Sequence, residues 1–265
     1  MDGVFWVRVR EQKRVKAFVV MSQSTVGKAT PTLCSEDQKL GVLLPEWQPR
    51  ALPDRNVLEG RYCNLEPLVV SQHAAELFEE HQQTPDGSSW TYLPYGPFVD
   101  FESYREWLVK QELSQDPLFF VVRPRSKSCR ASGLTSFMRM EPSHGVIELG
   151  HVHFAPSMQR TAASTECLYL MLRRVFELGY RRCEWKCDSL NQPSRDSARR
   201  LGFTYEGTFR QAVVVKKRNR DTAWFSIIDR EWPGIRLAFE RWLDASNFDV
   251  NGAQRERLNT WEGRP

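Results

Sequence analysis

Apolar positions change their spacing from one segment of the chain to the next. Between residues 61 and 67 they alternate with polar ones, which predicts a half-buried strand. Ser71 can cap a helix running to about His81, with Ala74, Leu77 and Phe78 on one face. Pro85, Asp86 and Gly87 break that pattern. An aromatic stretch follows (Trp90, Tyr92, Tyr95, Phe98), and then an amphipathic helix over 101–113 carrying Tyr104, Leu108 and Leu113. Residues 118–122, 131–140 and 146–154 read as three strands joined by turns at 125–128 and 141–145. The clearest helix is 161–178, where Leu168, Met171, Leu172, Val175 and Phe176 form the apolar stripe and Gly179 is placed to end it. A strand at 182–187 and a short helix at 194–201, ended by Gly202, come next. Strands 203–215 and 222–228 flank a hairpin tip at 216–221, and a last helix over 233–243 begins with Pro233.

The first 56 residues have a different texture. Two candidate strands, 4–9 and 15–21, precede a polar stretch and a Pro-punctuated segment at 44–53, which read together as an extension and linker. The folded region is expected over 57–245, with a polar tail at 246–265. A meander of strands followed by strand, helix, strand, helix and strand implies a mixed α/β sheet with helices on both faces. The alternative architecture is a two-domain α+β protein split near residue 116.

Composition bounds the class. With 265 residues, 41% hydrophobic and 26% charged, the chain has the makings of an ordinary globular core. Its longest apolar runs, such as 118–122, fall far short of the ~20 residues that a membrane helix needs. Thirty-seven Lys and Arg against 33 Asp and Glu give a net charge of +4, with no long basic stripe, which argues against nucleic acid as a partner. A reading in which the Arg-rich stretch 195–200 binds RNA would require steeply salt-dependent affinity. The six cysteines follow no secreted-domain spacing and complete no metal site, so free thiols in a reducing cytoplasm are expected. A homodimer is compatible with the sequence.

The chemistry concentrates in residues 146–210. After strand 146–154 comes a short polar turn and then the start of the long helix, with small residues at Ala162, Ala163 and Ser164. Small side chains let a ligand approach the backbone, and the free N–H groups and dipole of a first helical turn favour an anion such as a pyrophosphate. Gln159, Arg160, Thr161 and Thr165 add donors. The plainer alternative is a helix start capped by Thr161 or Ser164.

Taken in order, these segments resemble the GNAT acetyltransferase superfamily, and within it the branch of ribosomal-protein N-terminal acetyltransferases. Residues 159–164 stand where that family has Gln/Arg-x-x-Gly-x-Gly/Ala, with Ala162 and Ser164 at the two small positions. Glu166 falls where the branch commonly has a glutamate. Strand 147–154 resembles the family's central strand, which splays from its neighbour so that the pantetheine arm can pair with it. Asn191 through Phe203 resembles the Asn-x-x-Ser/Ala…Leu-Gly-Phe signature, and the match continues through 205–210. The resemblance covers roughly residues 57–245.

The resemblance implies acetyl-CoA as acyl donor, a ternary complex, and direct attack of an amine on the thioester. The acceptor would be a protein N-terminus, an amino acid or a small amine metabolite. Glu148 is the candidate base, its alternative being a solvent-facing strand residue. His151 and His153 share the other strand face and are alternative bases, because an imidazole titrates near neutrality. Backbone N–H groups near residues 152–155 can hold the carbonyl oxygen. Phe154, Asn191 and Ser194 are expected along the cofactor arm together with residues 159–165, Ser194 also serving as a candidate catalytic hydroxyl. Where many relatives carry a tyrosine acid, this chain has Ala198. Trp90, Tyr92 and Tyr95 are candidate substrate-binding residues, with core packing as the alternative. A non-catalytic acyl-CoA-binding module of the same fold is the competing hypothesis.

Overall fold

The computed structural model describes residues 40–84, 86–126 and 129–260. The candidate strands at 4–9 and 15–21, and Cys34, lie outside the described residues. Two compact units divide at Trp47 and Gln48. In the first, the described residues hold no helix or strand, only a turn in which the Trp47 N–H donates to the Leu44 carbonyl at 3.1 Å.

The second unit is built on one eight-stranded sheet. Its strands are β1 (Leu58–Glu59), β2 (Cys63–Pro67), β3 (Leu118–Pro124), β4 (Gly133–Glu141), β5 (Val146–Phe154), β6 (Arg182–Asp188), β7 (Thr204–Val215) and β8 (Arg218–Ile228). Their order across the sheet is β1-β2-β3-β4-β5-β6-β8-β7. Every neighbouring pair is antiparallel except β5 and β6. Five helices complete it: α1 (Val70–His81), α2 (Phe101–Leu113), α3 (Ala162–Glu177), α4 (Gln192–Arg200) and α5 (Trp232–Trp242). β2 pairs with β3 along its whole length, Cys63 opposite Pro124 and Pro67 opposite Phe120. That pairing joins the two sides of residue 116 in one sheet, so the two-domain split does not occur. The unit also runs past the expected limits. Arg50 donates its backbone N–H to the Pro142 carbonyl at 3.0 Å, and Thr260 is buried with its hydroxyl on the Arg200 carbonyl at 3.2 Å.

The sheet has a core on each face. One, beneath α3 and α5, contains Phe120, Phe137, Ile147, Leu149, Leu172 and Phe225; the other, beneath α1 and α2, contains Leu77, Trp90, Tyr104, Leu108, Phe119 and Leu134. β3 sends Phe120 and Val122 to the first and Phe119 and Val121 to the second, which is why its sequence is a continuous apolar run.

Helix ends follow local chemistry. Thr161 caps α3 through a reciprocal box with Ser164: the Ser164 N–H donates to Thr161 Oγ1 at 3.2 Å and the Thr161 N–H to Ser164 Oγ at 3.2 Å. Gly179 ends α3 at φ +79°, with the Tyr180 N–H donating to the Val175 carbonyl and the Gly179 N–H to the Phe176 carbonyl. Gly202 repeats this pattern after α4. α1 departs from expectation. It starts at Val70 without a side-chain cap, and its entry is held by the Val69 N–H donating to His73 Nδ1 at 3.1 Å. The last hairpin is tighter than expected, since Val215 pairs directly with Arg218. Lys216 and Lys217 make the turn at φ +48° and +61°, a conformation usually signalled by Asn-Gly, which is not found at this turn.

Glu166 ties α3 to the sheet edge. Its carboxylate accepts three backbone N–H groups, from Arg61 at 2.8 Å, Tyr62 at 2.6 Å and Cys63 at 2.9 Å. These donors span the β1–β2 turn and the first residue of β2. A Cβ on Gly60 would collide with the Glu166 carboxylate and lie 2.8 Å from the Cys63 carbonyl. A glycine is needed there for space.

A second buried feature is aromatic. The His153 ring stacks on His81 at 3.9 Å with the planes 8° apart, and lies 4.0 Å from the Trp90 ring. Both His153 nitrogens and His81 Nε2 are buried without a hydrogen-bond partner among the described residues. Burial therefore pushes His81 down to about 4 and His153, beside it, down to about 2.

Two predictions follow from this packing. Glu166→Gln removes the charge that three amides share, and should cost about 3 kcal/mol, or roughly 10 °C of Tm. Differential scanning calorimetry checks this, and a change under about 2 °C would contradict the assignment. For the histidines, the unfolded chain binds protons at about 6.5 while the folded one refuses them. Stability should thus be full above pH 6.5 and fall as the pH drops below it, by about 2 kcal/mol per histidine between pH 7 and 5. Urea unfolding of wild type and His153→Phe checks this; the variant should show the shallower pH dependence, and equal slopes would refute it.

Candidate functional site

β5 and β6 run side by side for four residues only, from Val146 opposite Arg182 to Leu149 opposite Trp185. Beyond that point β5 keeps β4 and β6 keeps β8, and the two strands separate. The cause lies in β5. His151 adopts φ +52°, and the register against β4 shifts between Gly150 opposite Ser136 and His153 opposite Leu134. An extra residue turns the strand away from its parallel neighbour and inverts the side-chain alternation after it. His151 and His153 therefore lie on the same sheet face as Glu148, not on the opposite face as strict alternation predicts. Ile147 and Leu149 pack beneath α3, while His153 packs against His81 and Trp90, and His151 against Phe119.

At the fork stands a buried charge cluster. Glu148 is only 4% exposed, which overturns the solvent-facing alternative. Its Oε2 lies 2.9 Å from Lys186 Nζ and 3.5 Å from Arg139 Nε. Lys186 also reaches Glu184 Oε2 at 2.7 Å, and its ammonium sits 3.8 Å from the centre of the Trp224 ring. Arg182 continues the series to Glu184 at 2.7 Å and Glu206 at 2.5 Å. Burial raises the Glu148 carboxyl above its ordinary value, and the Lys186 and Arg139 charges oppose that rise. The result is a carboxylate more basic than an exposed one.

The histidines differ from expectation. Burial, aided by the Arg139 charge, lowers His151 to about 4, and its Nδ1 shares a hydrogen bond with the Tyr95 hydroxyl at 3.1 Å. With His153 lower still, neither imidazole titrates near neutrality, and both are weak bases. The Ala155 N–H donates to the Ser132 carbonyl at 2.9 Å, which narrows the candidate oxyanion donors to Val152, His153 and Phe154.

The turn into α3 lies directly after β5. Gln159 Nε2 donates to the Phe154 carbonyl at 2.9 Å, so this side chain closes the turn. The left-handed residue is Arg160, at φ +59°. Ala162 and Ser164 are both helical, so glycine is not required there by the backbone. The capping box engages Thr161 and Ser164, while Arg160 remains exposed and Ala162 and Ala163 line the start of the helix. Thr165 faces away, its Oγ1 accepting from Arg200 at 3.1 Å. Asn191 caps α4 by accepting the Ser194 N–H at 3.2 Å, and Ser194 Oγ accepts from Trp185 Nε1 at 3.0 Å. Ala198 is fully buried in the core beneath α3, which leaves no place for a tyrosine hydroxyl at that position.

On the other side of the fork, the aromatic loop is tied down at two points. Lys216 of the hairpin turn donates to the Trp90 carbonyl at 2.8 Å, and the Tyr92 hydroxyl donates to the Leu190 carbonyl at 3.2 Å. Trp90 is a core residue that presents its ring to His153; Tyr95 faces His151; Tyr92 is partly exposed. Sequence reasoning foresaw this loop but missed Lys186, Glu184, Arg139 and His81. Lys186 and Glu184 lie in strand 182–187 on the Glu148 side, a signal visible only once β5 and β6 are known to be parallel neighbours. Among the described residues no group of three or more His, Cys, Asp or Glu is placed to hold a metal ion, no helix is long and apolar enough to cross a membrane, and five cysteines are free.

Comparison with known proteins agrees with this geometry. The family model described as "Acetyltransferase (GNAT) domain" matches residues 63–204. A GCN5-related N-acetyltransferase from Brucella melitensis is similar at 44% identity over 81% of this chain and 97% of its own, with a TM-score of 0.79. A probable GNAT-family acetyltransferase from Chromobacterium violaceum is 42% identical over 76% of this chain and 100% of its own, with a TM-score of 0.68. A ribosomal L7/L12 α-N-protein acetyltransferase solved with coenzyme A shares the fold at 21% identity over 66% of this chain and 99% of its own, with a TM-score of 0.57. No curated protein matches. The forked sheet, the helix start beside it and these likenesses agree: the chain belongs to the GNAT acetyltransferase superfamily and is an N-acetyltransferase.

Proposed function

We propose that this protein transfers an acetyl group from acetyl-CoA to a primary amine within a ternary complex, with Glu148 as general base. The observation that carries the reading is the buried Glu148 carboxylate at the point where β5 and β6 part. Both of its ion pairs, to Lys186 and Arg139, converge on Oε2. Oε1 takes the proton from the incoming ammonium, directly or through a water. The neutral amine then forms the new C–N bond as the carbon–sulfur bond breaks, and the nitrogen's second proton passes to the departing CoA thiolate or to water, leaving a neutral amide without help from a protein acid.

The donor's phosphates are held by the start of α3. The N–H groups of Ala162 and Ala163, the helix dipole and the Arg160 side chain supply the positive potential. Helical geometry at Ala162 and Ser164 means that the missing glycines do not weaken this cradle, and so do not favour a non-catalytic module. Val152 to Phe154 supply donors to the carbonyl oxygen, and Asn191 and Ser194 border the arm. The acceptor enters between the aromatic loop and the β7–β8 hairpin, where Tyr92 and Tyr95 border it. The solved relative named for ribosomal L7/L12 supports a peptide N-terminus as one acceptor class; an amino acid or small amine remains within the same chemistry.

Titration calorimetry should show acetyl-CoA binding, and a pooled primary-amine screen read by mass spectrometry should yield an acetylated product. Glu148→Gln should lower kcat/KM by about 10²–10⁴-fold while leaving acetyl-CoA affinity within a few-fold of wild type. Absence of acetyl-CoA binding at millimolar concentration by the folded protein would defeat the reading, and an unchanged rate in the variant would remove Glu148 from it.

A further inference from the structure

A lysine side chain only 5% exposed is uncommon, since lysines belong to the protein surface unless they are paired. Lys186 is held from three directions. Glu148 on β5 lies 2.9 Å away, Glu184 on its own strand 2.7 Å away, and the Trp224 ring on β8 closes over it at 3.8 Å. The other charges facing Glu148 are fewer and weaker. Arg139 on β4 is 3.5 Å distant with its side chain 55% exposed, so water screens it. Glu184 is divided between two cations, its Oε1 on Arg182 and its Oε2 on Lys186. Lys186 is thus the buried countercharge of Glu148 at the fork.

We infer that Lys186 is a positioning residue for the transfer, one that pins Glu148 Oε2, leaves Oε1 open to the acceptor, and keeps the carboxylate ionised until the amine delivers its proton. This rests on the reading of Glu148 as base. No bond forms to Lys186, and no proton is routed through it. When Oε1 is protonated, the carboxylate–ammonium pair becomes a carboxylic acid beside an ammonium. That pair is less stable, so the proton is driven on to solvent and the base is restored. An oppositely charged group this close lowers a carboxyl pKa by about 1–3 units, which sets the scale of the effect.

The test follows Glu148 through its titration in wild type, Lys186→Met, Lys186→Arg and Glu184→Gln. Two readouts are used: the acid limb of kcat/KM against pH, and ¹³C NMR of glutamate carboxyl carbons, with Glu148→Gln identifying the signal. The NMR arm needs no turnover. Loss of the Lys186 cation disfavours the carboxylate, so in Lys186→Met both readouts should move up by about one pH unit or more. Loss of the Glu184 anion favours it, so in Glu184→Gln both should move down. Lys186→Arg should return the limb close to wild type. If Lys186→Met does not fold, the opposite shift in Glu184→Gln and the arginine rescue still decide the matter. An unmoved Glu148 titration in Lys186→Met or Glu184→Gln overturns the inference and leaves Lys186 a structural ion-pair member. If instead Glu148→Gln leaves the rate and acid limb unchanged, the base assignment itself has failed, a result that the NMR shifts keep distinct.

Discussion

One extra residue in β5 governs the arrangement of the functional face. A regular strand would stay paired with its parallel neighbour to the end, leaving no opening for an acyl donor. The left-handed turn at His151 ends that pairing after Leu149. It also rotates the following side chains by one position, bringing His151 and His153 under the aromatic loop and on the same side as Glu148. Non-glycine residues reach this conformation only at some cost, and the surroundings of His151 supply compensation: a hydrogen bond to Tyr95 and packing against Phe119.

Charge at the fork obeys a similar economy. Glu148, Lys186, Glu184, Arg182 and Glu206 alternate in sign across β5, β6 and β7, so each buried charge meets an opposite one. Desolvating a single such charge would be costly, and an alternating series offsets that penalty with close opposite charges. The histidines next to it solve the same problem differently: having no partner for their nitrogens, they remain neutral.

Much of the architecture was legible in the sequence because it is written in local rules. The stripe of Leu168, Leu172 and Val175, the cap at Thr161 and the glycines at 179 and 202 each act within a few residues, and each lies where spacing predicts. Parts of the site could not be read that way. Alternation assigned His153 to the wrong face because a bulge leaves no mark in composition. Lys186 looked like an ordinary polar strand residue because its partners Glu148 and Trp224 are 38 positions away in either direction. The Lys216–Lys217 turn lacked its usual glycine. Glu166 was noticed by resemblance, but its role as acceptor for three amides depends on a turn a hundred residues earlier in the chain.

The tie between Lys216 and the Trp90 carbonyl joins residues 126 positions apart, and that between Tyr92 and Leu190 joins residues 98 apart. By contrast, β5, α3, β6 and α4 follow one another without interruption from Val146 to Arg200. The two sides of the cleft are therefore written differently in the chain. On the reading proposed above, the donor side is a single block of sequence, whereas the acceptor side brings the 90–95 loop and the β7–β8 turn to that block from outside it. Substitutions in those two segments can then alter the molecule presented without altering the block that handles the thioester.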